Sequence, residues 1–233
     1  MSLDIKDLRN ELTKHKTKKY SKRKLTVLYL VVHHSATPTF PGTKDFIAYS
    51  NYHVNDLNWP GIAYHYGVND DDGVAYLLNE EELCTYHIGT TTRNWKKEWP
   101  NHPLNKQGFK RPINDNAIGV VLPGNFDVNE VPKVQWDGAV KLFRYLLGEY
   151  PNALIIGHRE VPGAFKTCPG EKFDLTKFIS EVRKNPNVVD IAESEQISLY
   201  RTLYSKWAPL IPQEKRSEFV STLNKIRPYL KEE

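Results

Sequence analysis

Residues 154–170 read LIIGHREVPGAFKTCPG: a short apolar strand at 153–156, a turn at Gly157, then His158 and, ten residues on, Cys168. Between the two lies a loop carrying Pro162, Gly163 and Lys166. Neutral imidazole and thiolate are ligand types that zinc prefers. A strand end followed by a Gly/Pro loop can aim both at one ion. Two ligands leave a site incomplete, so a third is expected elsewhere in the chain.

The run at 25–32, LTVLYLVV, is the most continuous apolar stretch and ends in His33-His34-Ser35-Ala36-Thr37. Short apolar runs bounded by polar residues read as buried strands. The carboxyl ends of such strands are where open α/β sheets usually place their sites. His33 follows its run much as His158 follows Ile156 and Gly157. Three protein ligands with one open position is the pattern of a catalytic zinc; four would mark a structural site.

The 233 residues allow one domain of ordinary size plus an appendage. Charge is unevenly placed. Residues 1–24 hold nine Lys/Arg against three Asp/Glu, a local +6 in a chain of net +4, so the remainder is −2. Such an arm is either a solvated tail or an attractor of anionic surfaces. Residues 1–24 lack the apolar core of a secretory signal and no run reaches transmembrane length, so cytosolic synthesis and no membrane insertion are expected. Free thiols follow: Cys168 as a metal ligand, Cys84 as a buried free cysteine.

Residues 4–12 read as one or two helical turns, and 13–24 as extended. Thr43 is placed to cap a helix over 44–57. Residues 62–68 and 74–78 read as strands joined by a hairpin through NDDDG. A further short strand is expected at 84–89 (CTYHIG), and another at 117–122 (AIGVVL). The long polar segment 90–116 is a functional loop or an inserted lobe. Helices are expected at 132–150, with Trp136, Ala139, Val140, Phe143, Leu146 and Leu147 at helical spacing, and at 173–184. Asn185-Pro186-Asn187 marks a boundary. Beyond it two further helices are expected, the second striped with Phe219, Leu223, Ile226 and Leu230. Two such helices bury little alone, so they should dock on the main domain, on a partner or on a second copy of the chain, which would give a homodimer.

In order, VVHHSAT (31–37), GIAYHYGV (61–68), YHIG (86–89), AIGVVLPGNF (117–126) and GHREVPGAFKTCPG (157–170) resemble the zinc-dependent N-acetylmuramoyl-L-alanine amidases. That superfamily is shared with peptidoglycan-recognition proteins and phage endolysins. The resemblance implies an α/β fold, a mixed central β-sheet flanked by helices, over residues 25–184. Residues 1–24 would then be a basic arm, and 185–233 a C-terminal helical appendage for wall binding or oligomerisation. It implies a Zn2+ cofactor held by His33, His158 and Cys168. It implies active-site roles for Tyr64 and Lys166, and substrate-binding positions at His87, on the groove rim, and at His34, beside the first ligand. The expected partner is bacterial peptidoglycan, with no nucleic acid. Some members carry a Glu general base after the I-G-[IV] triplet; here that position is Val121, which is similar to the phage-type branch. The implied activity is hydrolysis of the bond between N-acetylmuramic acid and L-alanine, by an endolysin acting at the wall after holin-dependent release. The other implied reading is a recognition module that binds without cutting. In the non-catalytic branch the Cys ligand is typically replaced, so Cys168 argues against it.

Overall fold

The computed structural model describes residues 3–89, 113–161, 164 and 166–184. Among them, six strands form one mixed sheet: β1 (Ile5–Asp7), β2 (Tyr29–His34), β3 (Tyr66–Val68), β4 (Ala75–Leu77), β5 (Ala117–Leu122) and β6 (Leu154–Gly157). Their spatial order is β1-β4-β3-β5-β2-β6. All pairs are parallel except the β3–β4 hairpin, whose turn closes through Asn69 N–H to Val74 O at 3.1 Å. The six residues of β2 and the six of β5 are all buried, as expected of central strands covered on both faces.

One face packs beneath α2 (Lys133–Glu149) and α3 (Leu175–Arg183). Alternate residues Leu30, Val32, Ile118, Val120 and Leu122 meet Phe143, Leu146 and Phe178 there. Trp136 on α2 donates its indole N–H to Glu181 of α3 at 2.7 Å, and Arg144 donates to the Glu181 carbonyl at 2.7 Å, satisfying the helix end. The other face carries α1 (Lys44–Asn51), which Phe46 seats on the sheet. A Cβ on Gly67 would lie 2.2 Å from the Phe46 ring, so β3 needs a glycine where the helix crosses it.

Several expectations are corrected. Residues 4–12 are not helical: Ile5–Asp7 adds to the sheet beside β4, and Leu8 and Leu12 are buried against Phe46 and Ile62. The N-terminal residues from 3 onward are therefore part of the domain rather than a free arm. Tyr20 donates to the Gly61 carbonyl, and the Arg23 guanidinium donates to the carbonyls of Glu81, Asn114 and Ala117. The helix over 44–57 changes hand-hold midway, becoming a π-helical turn at Tyr52–Asp56. Thr43 precedes α1 without a side-chain cap bond. Residues 62–65 and 84–89 are not strands; Leu83 makes only an isolated bridge to Lys22. The segment 90–112 and the helices expected beyond 184 lie outside the described residues. No helix among the described residues is long and apolar enough to cross a membrane.

Two buried histidines set an acid limit on this fold. Burial holds His65 down at about 3 and His53 at about 4, against an ordinary 6.5. Both are neutral when folded, His65 taking Gly119 N–H on Nδ1 and His53 taking Ala63 N–H. Below 6.5 the unfolded chain binds protons that the folded chain does not, so stability present above 6.5 is lost as pH falls toward the folded values. Each group contributes ~1.4 kcal/mol per pH unit across that window. Urea unfolding of metal-free protein should therefore show a loss of roughly 4 kcal/mol between pH 7 and pH 5 from these two residues alone, with the lowered His33, His87 and His158 adding in the same direction. Equal or greater stability at pH 5 would contradict this account.

Candidate metal centre

The sheet brings the ligand candidates together at the carboxyl ends of its two neighbouring strands β2 and β6. His33 is the penultimate residue of β2, on the opposite face from Val32. His158 follows β6 directly and opens a short 3-10 turn, His158–Glu160. The backbone N–H of Arg159 donates to the Cys168 carbonyl at 2.7 Å, and its guanidinium to the carbonyls of Gly170 and Phe173. These bonds close the loop and set Cys168 beside His158. Arg159 is thus a brace, and Glu160 caps the turn by accepting Gly157 N–H.

One ring nitrogen of each histidine and the Cys168 Sγ lie within 4.8 Å of one another. Cys168 Sγ is 3.7 Å from His33 Nδ1, and the rings of His33 and His158 have centroids 4.7 Å apart. All three side chains are buried: His33 is 1% exposed, His158 6% and Cys168 7%. Among the described residues they form the one such cluster of His, Cys, Asp or Glu.

Protonation at the cluster suits a cation. Burial, reinforced by the Lys166 charge, lowers His158 to about 4, and burial with the neighbouring His158 and His87 lowers His33 further. Both rings are neutral at physiological pH, each with one lone pair to give. Burial pushes the Cys168 thiol up to about 12, opposed by the His34 backbone N–H and Lys166. A thiol this deep becomes a thiolate when a cation lies against it. His33 also has an outer partner, as metal ligands usually do: its Nε2 meets His87 Nδ1 at 3.0 Å. Two neutral imidazoles, one ionisable thiol and an oriented outer partner fit a tetrahedral zinc site with its fourth position open.

The cluster floors a cavity of about 750 Å³. Tyr64 is half-buried in its wall, its ring 5.2 Å from that of His33. Burial and the Cys168 sulfur raise the Tyr64 phenol above its ordinary value, so it stays a donor. Lys166 is exposed and also lines the cavity. His34 also lines the cavity: Nδ1 accepts from Phe126 N–H at 3.1 Å and Nε2 faces Asp127 at 4.0 Å. His87 reaches the cavity but is only 4% exposed, its ring packed behind His33 rather than standing on a groove rim.

Some cavity residues had no sequence signal. His53 and Trp59 stack with centroids 5.0 Å apart, and Trp59 meets Tyr86 edge-on at 5.7 Å. They come from the π-helical turn and from a loop, where no periodicity reports a shared wall. Asp127 accepts from Thr167 and from Glu171 N–H, tying the 125–129 turn to the ligand loop.

The family model described as N-acetylmuramoyl-L-alanine amidase matches residues 23–171, more than half of the chain. Peptidoglycan-recognition protein LB of Drosophila melanogaster is 25% identical over 192 residues, 79% of this chain and 67% of that protein. Among solved structures, the endolysin of a Thermus scotoductus bacteriophage superposes with a TM-score of 0.57 at 21% identity, covering 77% of this chain and 99% of that one. An N-acetylmuramoyl-L-alanine amidase of Clostridium intestinale gives 0.52 at 19% identity, over 78% of this chain and 98% of its own. The fold is the one these proteins share.

Proposed function

The chain belongs to the N-acetylmuramoyl-L-alanine amidase family, and from that premise we propose that it is a zinc-dependent hydrolase of the bond between the lactyl group of N-acetylmuramic acid and L-alanine in bacterial peptidoglycan. Membership alone supports action on, or recognition of, peptidoglycan. The observation that carries the reading further is the convergence of His33, His158 and Cys168 at the floor of an open cavity.

When bound there, zinc supplies Lewis acidity toward water and the scissile carbonyl. The chain's own groups do the rest. Two neutral imidazoles and one thiolate would leave a dipositive zinc at a net charge of +1, half that of the bare ion, which weakens the field opposing an ammonium at the lip. Lys166 stabilises the charge that develops on the carbonyl oxygen, and its influence on His33, His158 and Cys168 supports that placement. Tyr64 stays protonated and donates from the cavity wall. Proton delivery to the leaving amine falls to one of these two groups. Val121, at the position where some relatives carry a carboxylate base, is wholly buried in apolar contacts and offers no proton acceptor.

We place the chain among endolysins of phage or prophage type, acting on the wall from the cytoplasmic side after release. Its catalytic unit takes in the N-terminal strand and ends near residue 184, and residues 185–233 are a separable wall-binding or self-associating unit.

The test is chemical. Purified protein incubated with cell walls should release new amino-terminal L-alanine, and should carry about one zinc per chain. Zinc with no new amino termini would leave the non-catalytic recognition reading standing in its place.

A further inference from the structure

The geometry points to His87 as the positioning residue that presents Nδ1 of His33 to the metal. The inference rests on the zinc reading above. It starts from hydrogen-bond direction. His87 Nε2 lies 3.4 Å from the Ala117 carbonyl oxygen, which can only accept, so that nitrogen carries the hydrogen. His87 Nδ1 is then a bare acceptor, 3.0 Å from His33 Nε2. His33 must donate from Nε2, which leaves its Nδ1 unprotonated on the side facing Cys168 Sγ at 3.7 Å. One carbonyl on β5 thus fixes the tautomer of a ring two side chains away.

The chain beside His87 is itself held: Ile88 N–H donates to Asn114 Oδ1 at 2.9 Å, and Asn114 donates back to the Gly89 carbonyl at 3.0 Å.

Gly119 supplies the room. A Cβ there would stand 2.4 Å from His87 Cγ and 2.6 Å from its Nδ1, distances that no side chain tolerates. The backbone of Gly119 is also gripped by His65, through N–H to His65 Nδ1 at 3.0 Å and through its carbonyl from His65 N–H at 2.9 Å. The strand cannot slide away from an added methyl, so the His87 ring would have to move. Glycine in the AIGVVL strand is thereby a requirement of the metal centre and not of the strand, which a glycine otherwise weakens.

Zinc affinity, measured on the full chain by competition with a chromophoric chelator, tests this apart from activity. His87→Leu keeps the bulk and removes the acceptor; affinity should fall on the order of 10- to 100-fold, the usual cost of losing an outer partner. His87→Asn places an oxygen where Nδ1 stood and should hold zinc within about threefold of wild type. Gly119→Ala should weaken zinc binding as His87→Leu does. If His87→Leu does not fold without metal, His87→Gln replaces it: its NH2 can donate to the Ala117 carbonyl but it leaves no acceptor where Nδ1 stood, so it should bind weakly beside a competent Asn variant. Wild-type affinity in His87→Leu, or equal weakness in the Asn and Leu variants, would overturn this role of His87 while the zinc reading stood. A wild-type chain that takes up no zinc would remove both.

Discussion

Cys168→Ser protein should lose its zinc and its wall hydrolysis together, while Cys84→Ser keeps both. The contrast rests on surroundings, since both cysteines are free thiols. Cys168 sits in the cavity floor with two neutral imidazole nitrogens inside 4.8 Å, that of His33 at 3.7 Å from its sulfur. Serine there would have to give an alkoxide, which is far more basic and a harder ligand than zinc prefers in such a site. Cys84 is half-buried beside Ser21 and Arg23, away from the cavity lining. Metal content by atomic emission should drop from about one per chain to background in the first variant only. Equal metal loss in both would mean that the centre has been assigned to the wrong residues.

Tyr64→Phe and Lys166→Ala should each retain zinc and lose on the order of 10²-fold in turnover, the usual cost of removing one donor to a developing oxyanion. The two residues stand on different elements, Tyr64 before β3 and Lys166 in the ligand loop, so neither substitution disturbs the other's support. Tyr64 gives up only a hydroxyl, and its ring contacts with His33 and His53 persist in phenylalanine. Lys166 is exposed and its side chain packs nothing that folding requires. Zinc content near that of wild type is therefore part of the expectation. Near-normal turnover in both would make Tyr64 a packing residue and Lys166 an ordinary surface lysine.

The sequence made the centre of the sheet legible and its margins obscure, for physical reasons. Strand β5 and helices α2 and α3 were readable because burial imposes a long apolar pattern on them. The β2 run was recognised but shifted: pairing begins at Tyr29 and carries through His33 and His34, so the ligand is inside the ladder rather than after it. Apolarity reports burial, and burial begins at Val27 before pairing does. Strand β1 has one half-buried and two exposed residues and joins the sheet by backbone bonds with Ile5 alone packed on the core, which leaves little mark on the side-chain pattern. The π-helical turn was missed because spacing by four and by five cannot be told apart over five residues. The three ligand candidates were readable from their residue types at strand ends. The outer partner was not: His33 and His87 are 54 positions apart, and a carbonyl such as that of Ala117 behind His87 has no sequence signature at all.

The sheet order has a consequence for how the molecule is made. Tyr29 pairs with Ala117 on one side and with Leu154 on the other, so the central strand waits for partners synthesised long after it. Parallel pairings between such distant segments close slowly compared with local ones. A nascent chain that stops before Leu154 holds β2 with one edge unpaired and His33 without either of its fellow ligands. The centre is complete only once Cys168 has followed all six strands, and chelation there should lock in an order of assembly that the ribosome imposes.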